Sequence, residues 1–189
     1  MKKLTGRNIA VIVFIAGCLV FGSSLWAKVE FRGRLLTGSG GVNTPQAVNV
    51  RIIIENYTTE DEVRTLQQFL VDGNQSGFLT AFRSMKKGEI RFFGGMGLNI
   101  PLHGAMEIPN EKGLKIQLLA ESQTVEPGAN QRRFGPDRFL VVELFLDKEF
   151  NGNGKIYQDA VIQFTPKSEI KLDSFIITPK ELIAVGLVR

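Results

Sequence analysis

From residue 89 to residue 188 the chain is a succession of short apolar or alternating runs, each closed by glycine, proline or asparagine. The runs are EIRFFG (89–94), GLNIPL (97–102), GAMEI (104–108), LKIQLLAES (114–122), RFLVVELFLD (138–147), KIYQDAVIQF (155–164), EIKLDSFII (169–177) and ELIAVGLV (181–188). Alternation with period two belongs to a strand with one buried face, and runs this short fit strands better than helices. RFLVVELFLD is apolar on both faces apart from Glu143, which predicts a central strand covered on both sides. Two more alternating runs stand upstream. In KVEFRGRLL (28–36) Val29, Phe31 and Leu35 oppose Glu30, Arg32 and Arg34, and AVNVRIIIENY (47–57) alternates through Val48, Val50, Ile52 and Ile54. Between them lies the Gly-rich stretch TGSGGVNTP (37–45).

The period changes only once, over residues 59–87. Thr59 and Glu62 have the spacing of a capping box, in which hydroxyl and carboxylate each take a free backbone N–H. Val63, Leu66, Phe69 and Leu70 follow at helical spacing, Gly73 stops the helix, and Asn74 can cap a second one with Phe78, Leu79, Phe82 and Met85 as its stripe. Such stripes must pack on something, most simply a sheet face. The fold predicted is therefore mainly β: an antiparallel sandwich or open barrel of about eight to ten strands with an inserted pair of short helices.

The N-terminus reads as an export signal, with Lys2, Lys3 and Arg7 before the apolar run IAVIVFIAGCLVFGSSLWA that ends at Ala27. Cleavage after Ala27 would release a single domain of residues 28–189 with no membrane span, in the periplasm or outside the cell. Two alternatives stand beside it. Ile15-Ala16-Gly17-Cys18 fits the pattern preceding a lipidated cysteine, and residues 9–27 are just long enough to remain as an anchor.

Loss of that segment changes the charge. The chain has 23 Lys plus Arg against 19 Asp plus Glu, and three of the bases leave with the signal. A near-neutral domain lacks the field that steers proteins to DNA, RNA or anionic lipid, so no nucleic-acid partner is expected. Arg132, Arg133 and Arg138 form one local cluster, read as a solvated loop. Cys18 is the single cysteine, so the domain has no disulfide, thiol nucleophile or thiolate metal site, and its stability must come from its core.

The stretch FLDKEFNGNGKIYQ (145–158) places Asp147, Glu149, Asn151 and Asn153 at the offsets of a calcium-loop ligand set, with Gly152 at the turn. It departs from that loop at Glu149 and at Gln158, where a bidentate glutamate belongs, and strands rather than helices flank it. Asn-Gly twice over is a turn signal. The expectation is a hairpin at FNGNG, with the cation site as its rival. FLVVELFLDKEFNGNGKIYQDAVIQF followed by IKLDSFIITPKELIAVGLV resembles the C-terminal part of a group of uncharacterised exported bacterial proteins: a strand ending E-L-x-L-D, a G-x-G turn, an alternating strand and a closing P-x-x-L-x-x-V segment. The resemblance covers about residues 114–189, with a fainter echo over 59–87. It implies export and a shared fold, and it carries no activity and no site residue.

Little else suggests reactivity, and no cofactor is expected. His103 is the single histidine and no G-x-S-x-G motif accompanies it. Gly94, Gly95 and Gly97 match no phosphate-binding pattern. Glu143, in the most apolar run, should be paired, most simply with an arginine of a neighbouring strand. With Asp159 it forms the one conceivable acid pair, so a carboxylate-dependent hydrolase is the alternative function. The leading expectation is a non-enzymatic binding module. Phe139, Val141, Glu143 and Phe145 would line a site for an apolar small molecule, with the helices as a lid, or an exposed Phe patch would meet an envelope protein.

Overall fold

A computed structural model of the protein describes residues 28–37, 46–93, 97–122, 138–165, 169–175 and 178–188. Residues 1–27 with Cys18, Arg132 and Arg133, and two of the three glycines at 94–97 lie outside them. Among the described residues no helix is long and apolar enough to cross a membrane.

Ten strands form one antiparallel sheet: β1 (Val29–Thr37), β2 (Gln46–Ile54), β3 (Gly88–Phe92), β4 (Asn99–Leu102), β5 (Gly104–Asn110), β6 (Gly113–Glu121), β7 (Phe139–Leu146), β8 (Asn151–Phe164), β9 (Ile170–Phe175) and β10 (Lys180–Leu187). Their order is β4-β3-β2-β1-β10-β8-β7-β6-β5, with β9 paired to β8 off this path. The ends of the path, β4 and β5, are separated in the chain only by His103, whose N–H donates to the Leu119 carbonyl at 2.9 Å. The sheet is thus curled towards its own beginning. One apolar cluster draws on every strand except β9 and fills the concave side with Phe31, Leu35, Ile52, Ile90, Phe92, Ile116, Leu118, Val142 and Ile156 among others.

The helices α1 (Glu60–Val71) and α2 (Gln75–Ser84) join β2 to β3 and lie on the convex side. The capping box forms: Thr59 Oγ1 accepts from the Glu62 N–H at 3.3 Å, and the Thr59 N–H donates to Glu62 Oε2 at 2.8 Å. Glu62 also receives the buried Lys87 ammonium at 2.8 and 2.7 Å, which ties the start of α1 to the residue before β3. Leu66, Phe78, Phe82 and Met85 pack on Met106, Leu119, Phe139, Val141, Tyr157, Ala160, Ile162 and Ile170. Burying a Phe82-sized side chain fully is worth about 1.5–3 kcal/mol, which is why the helix pair stays on the sheet.

The β7–β8 turn falls earlier than its sequence suggests. Asp147 to Phe150 make it, with Phe150 N–H donating to Asp147 O at 3.1 Å and the positive φ (62°) carried by Phe150. Asn151 to Gly154 belong to β8. Their glycines serve close approach: a Cβ on Gly152 would stand 1.9 Å from the Phe145 carbonyl oxygen, and one on Gly154 2.5 Å from that of Glu143. β8 then bulges, because Val141 pairs with Tyr157 while Phe139 pairs with Ala160, and Asp159 takes φ 55° there. Beyond the bulge β8 and β9 form a hairpin whose Ile162, Ile170 and Leu172 join the helices in the convex core.

Candidate functional site

The residues singled out in β7 share one face of the strand, and the structure gives them different surroundings. Phe139 meets Phe78 and Phe82 edge-on, with ring centroids 5.8 and 5.5 Å apart, and Val141 is fully buried in the same cluster. The helices therefore sit in van der Waals contact with this end of the row, filling it with their own phenylalanines. At the other end Phe145 is 43% exposed, with the Lys115 ammonium 5.8 Å from its ring centroid.

Glu143, between them, is buried and fully engaged. Oε1 accepts from Lys115 Nζ at 2.8 Å and from Gln117 Nε2 at 2.9 Å, and Oε2 accepts from Tyr157 OH at 3.2 Å. The cation comes from the neighbouring strand as charge compensation demands, but it is a lysine where an arginine was expected. Its ammonium stands over the Phe145 ring while bonding the carboxylate. Burial, then the adjacent carboxylate charge, pushes the Tyr157 phenol up to about 12, so it stays a donor. Gln117 completes the group by pairing with the backbone of Ile170: Nε2 donates to its carbonyl and Oε1 accepts from its N–H, both at 2.8 Å. Phe175 of β9 lies edge-on to Tyr157 at 5.4 Å. Sequence inspection missed Lys115, Gln117 and Tyr157 as a group; the available signal was that all three alternate onto the same face as Glu143 in adjacent runs.

Asp159 lies elsewhere. The bulge removes it from the Tyr157 row, and its partners are the Arg138 guanidinium, 3.9 Å from Oδ1, and the Ser122 hydroxyl, which accepts from its N–H at 3.1 Å. Among the described residues Glu143 and Asp159 share no hydrogen-bond or ion-pair partner, and the structure does not assemble them into one acid pair. Among the described residues Arg138 is the part of the arginine cluster that finds a carboxylate.

The calcium-like ligand set is likewise used locally. Asp147 Oδ1 accepts from the N–H groups of Glu149 (3.0 Å) and Asn151 (2.8 Å), closing the turn, while Asn151 and Asn153 are on exposed positions of β8. Among the described residues no group of three or more His, Asp or Glu side chains converges as a metal site would. His103 Nδ1 lies 2.9 Å from the Met85 carbonyl and its ring packs on Phe82 at 4.9 Å. Beside it an open groove of about 390 Å³ runs between Arg83, Lys86, Glu55, Glu89 and Pro101. Arg83 pairs with Glu121 at its border.

No family model, curated protein or solved structure matches the chain.

Proposed function

We propose that the chain is an exported, non-enzymatic binding protein whose ligand is another protein of the cell envelope, met through the convex face around Phe145. The supporting observation is the fate of one apolar row: α2 seals Phe139 and Val141, and Phe145 alone of the three remains exposed. A half-exposed phenylalanine backed by an immobilised Lys115–Glu143–Tyr157 network is a rigid aromatic anchor with polar surroundings, the composition of an interaction hot spot. The turn residue Phe150 (39% exposed) adds apolar area beyond the end of β7. The signal-like N-terminus and the resemblance to exported proteins support the location.

Catalysis by Glu143 is not favoured by the same geometry. A general base must be reached by substrate, and this carboxylate is buried and already holds three donors. Placing a photo-crosslinking amino acid at position 145 in the native host tests the proposal. The expected result is a discrete protein adduct that is lost when the crosslinker is moved to Lys171 on β9; equal, diffuse crosslinking at both positions contradicts it.

A further inference from the structure

The groove beside His103 offers about 390 Å³, within the range of small-molecule sites. β3 and β4 contribute Glu89 and Pro101, directly across from one another, and the end of α2 with the residues after it contributes Arg83, Met85 and Lys86. Its charges balance: Arg83, Lys86 and the neighbouring Arg91 stand against Glu55, Glu89 and Glu121. Most of them are matched within the protein. Arg83 pairs with Glu121, and Glu89 holds both Arg91 and Asn99. Lys86 and Glu55 are left over. Both are exposed and line the groove, yet among the described residues neither has an ion-pair partner, each other included. Their backbones are tied, because the Glu55 N–H donates at 2.8 Å to the carbonyl of Lys87, the residue after Lys86. His103 adds an acceptor. Its Nδ1 lies 2.9 Å from the Met85 carbonyl, so Nδ1 carries the proton of the neutral ring and Nε2 keeps a lone pair, with no hydrogen-bond partner among the described residues.

We infer that this groove binds a zwitterion, a free amino acid or short peptide, with its carboxylate on Lys86 and Arg83 and its ammonium on Glu55 and His103 Nε2. The Arg83 guanidinium gives one N–H to Glu121 and has further donors for a carboxylate beside the Lys86 ammonium. Balance of charge sets the selectivity. A plain anion drawn to Lys86 and Arg83 also meets Glu55 and Glu89, and a plain cation meets the two bases, so a ligand with a single charge gains at one end and loses at the other. Glu89 stays ionised, since the hydrogen bond from Arg91 above all holds its carboxyl below the usual carboxylate range. Pro101 gives exposed apolar surface for a small side chain of the ligand. Among the described residues no Tyr or Trp lines the groove for a sugar ring to stack on. The inference does not depend on the aromatic face around Phe145, which lies on β7.

Titration of the protein with dialanine, followed through backbone amide chemical shifts, tests it, with N-acetyl-dialanine and dialanine amide as probes that each lack one charge. Dialanine should shift the resonances of residues 85–89 and 99–103 saturably, and each capped probe should bind about tenfold more weakly. Lys86→Gln should narrow the discrimination against dialanine amide and keep that against N-acetyl-dialanine, and Glu55→Gln should do the reverse. This exchange of preferences separates a lost charge contact from misfolding, because each variant retains one of them. Absence of saturable shifts in the wild type, equal binding of all three probes, or variants that leave both preferences unchanged would overturn the proposal.

Discussion

Gln117 of β6 grips Ile170 of β9 as a neighbouring strand would, its amide nitrogen donating to the Ile170 carbonyl and its amide oxygen accepting from the Ile170 N–H, each at 2.8 Å. A side chain here supplies the ladder that β9 lacks on that side. The same amide nitrogen donates to Glu143, so the hairpin of β8 and β9 and the buried carboxylate are held by one residue.

Gln117→Ala should therefore loosen β9 more than the rest of the domain. Two backbone groups lose their partner and Glu143 Oε1 keeps only Lys115, at a cost of roughly 2–4 kcal/mol. Hydrogen exchange should show residues 169–175 losing protection while β1 and β2 retain theirs. Uniform loss of protection across the sheet would show that Gln117 supports the whole fold and not the hairpin.

Lys115→Met leaves the buried Glu143 with two neutral donors and no cation, and should destabilise by about 1–3 kcal/mol. Glu143→Leu with Lys115→Met removes both charges, so the double variant should be more stable than the sum of the two single changes predicts. Chemical denaturation of all four proteins measures that coupling. Additive effects would mean that the 2.8 Å contact contributes nothing.

Two glycines separate close approach from conformational freedom. Gly152→Ala would force its Cβ against the Phe145 carbonyl, with no flexible atom to give way, and should cost upwards of about 2 kcal/mol. Gly73 has φ 65° after α1 and open space where a Cβ would be, so Gly73→Ala should cost only about 1–2 kcal/mol. Thermal unfolding of both variants gives the order.

Glu62 and Lys87 predict acid sensitivity. Burial works to raise the Glu62 carboxyl pKa, but hydrogen bonds from Lys87 and the Thr59 backbone outweigh it and hold the pKa below the usual carboxylate value. In the unfolded chain the group binds protons first as pH falls, so its contribution is present above about pH 4.5 and is lost on descent through the folded-state pKa. Lys87→Met should flatten the fall in stability between pH 5 and pH 3. An unchanged slope would assign acid lability to other carboxylates.

Strand and helix content was legible because it is local: alternation marks each strand, and Thr59 with Glu62 marks the start of α1. Turn placement at β7–β8 was less so. Asn-Gly pairs announce a turn by residue type, yet here their small size lets β8 approach the Phe145 and Glu143 carbonyls, and the Asp147 carboxylate builds the turn four residues earlier. That Glu143 sits in the most apolar run pointed to a paired acid, while the identity of its partners depends on register between β6, β7 and β8. The bulge at Asp159, which breaks the apparent Tyr157–Asp159 alternation, comes from pairing with β7 and has no mark in the run itself. Arg32, Arg51 and Arg91 stand side by side for the same reason: far apart in the chain, they become neighbours only through the pairing of β1, β2 and β3.

The exposed Phe145 beside a sealed Phe139–Val141 row is the basis of the proposal that a protein, rather than a small apolar molecule, docks here. Native mass spectrometry of the protein gently extracted from its own envelope decides between them. The wild type should carry a protein-sized mass increment that Phe145→Ser lacks, whereas a lipid-sized adduct retained by both forms would contradict the account.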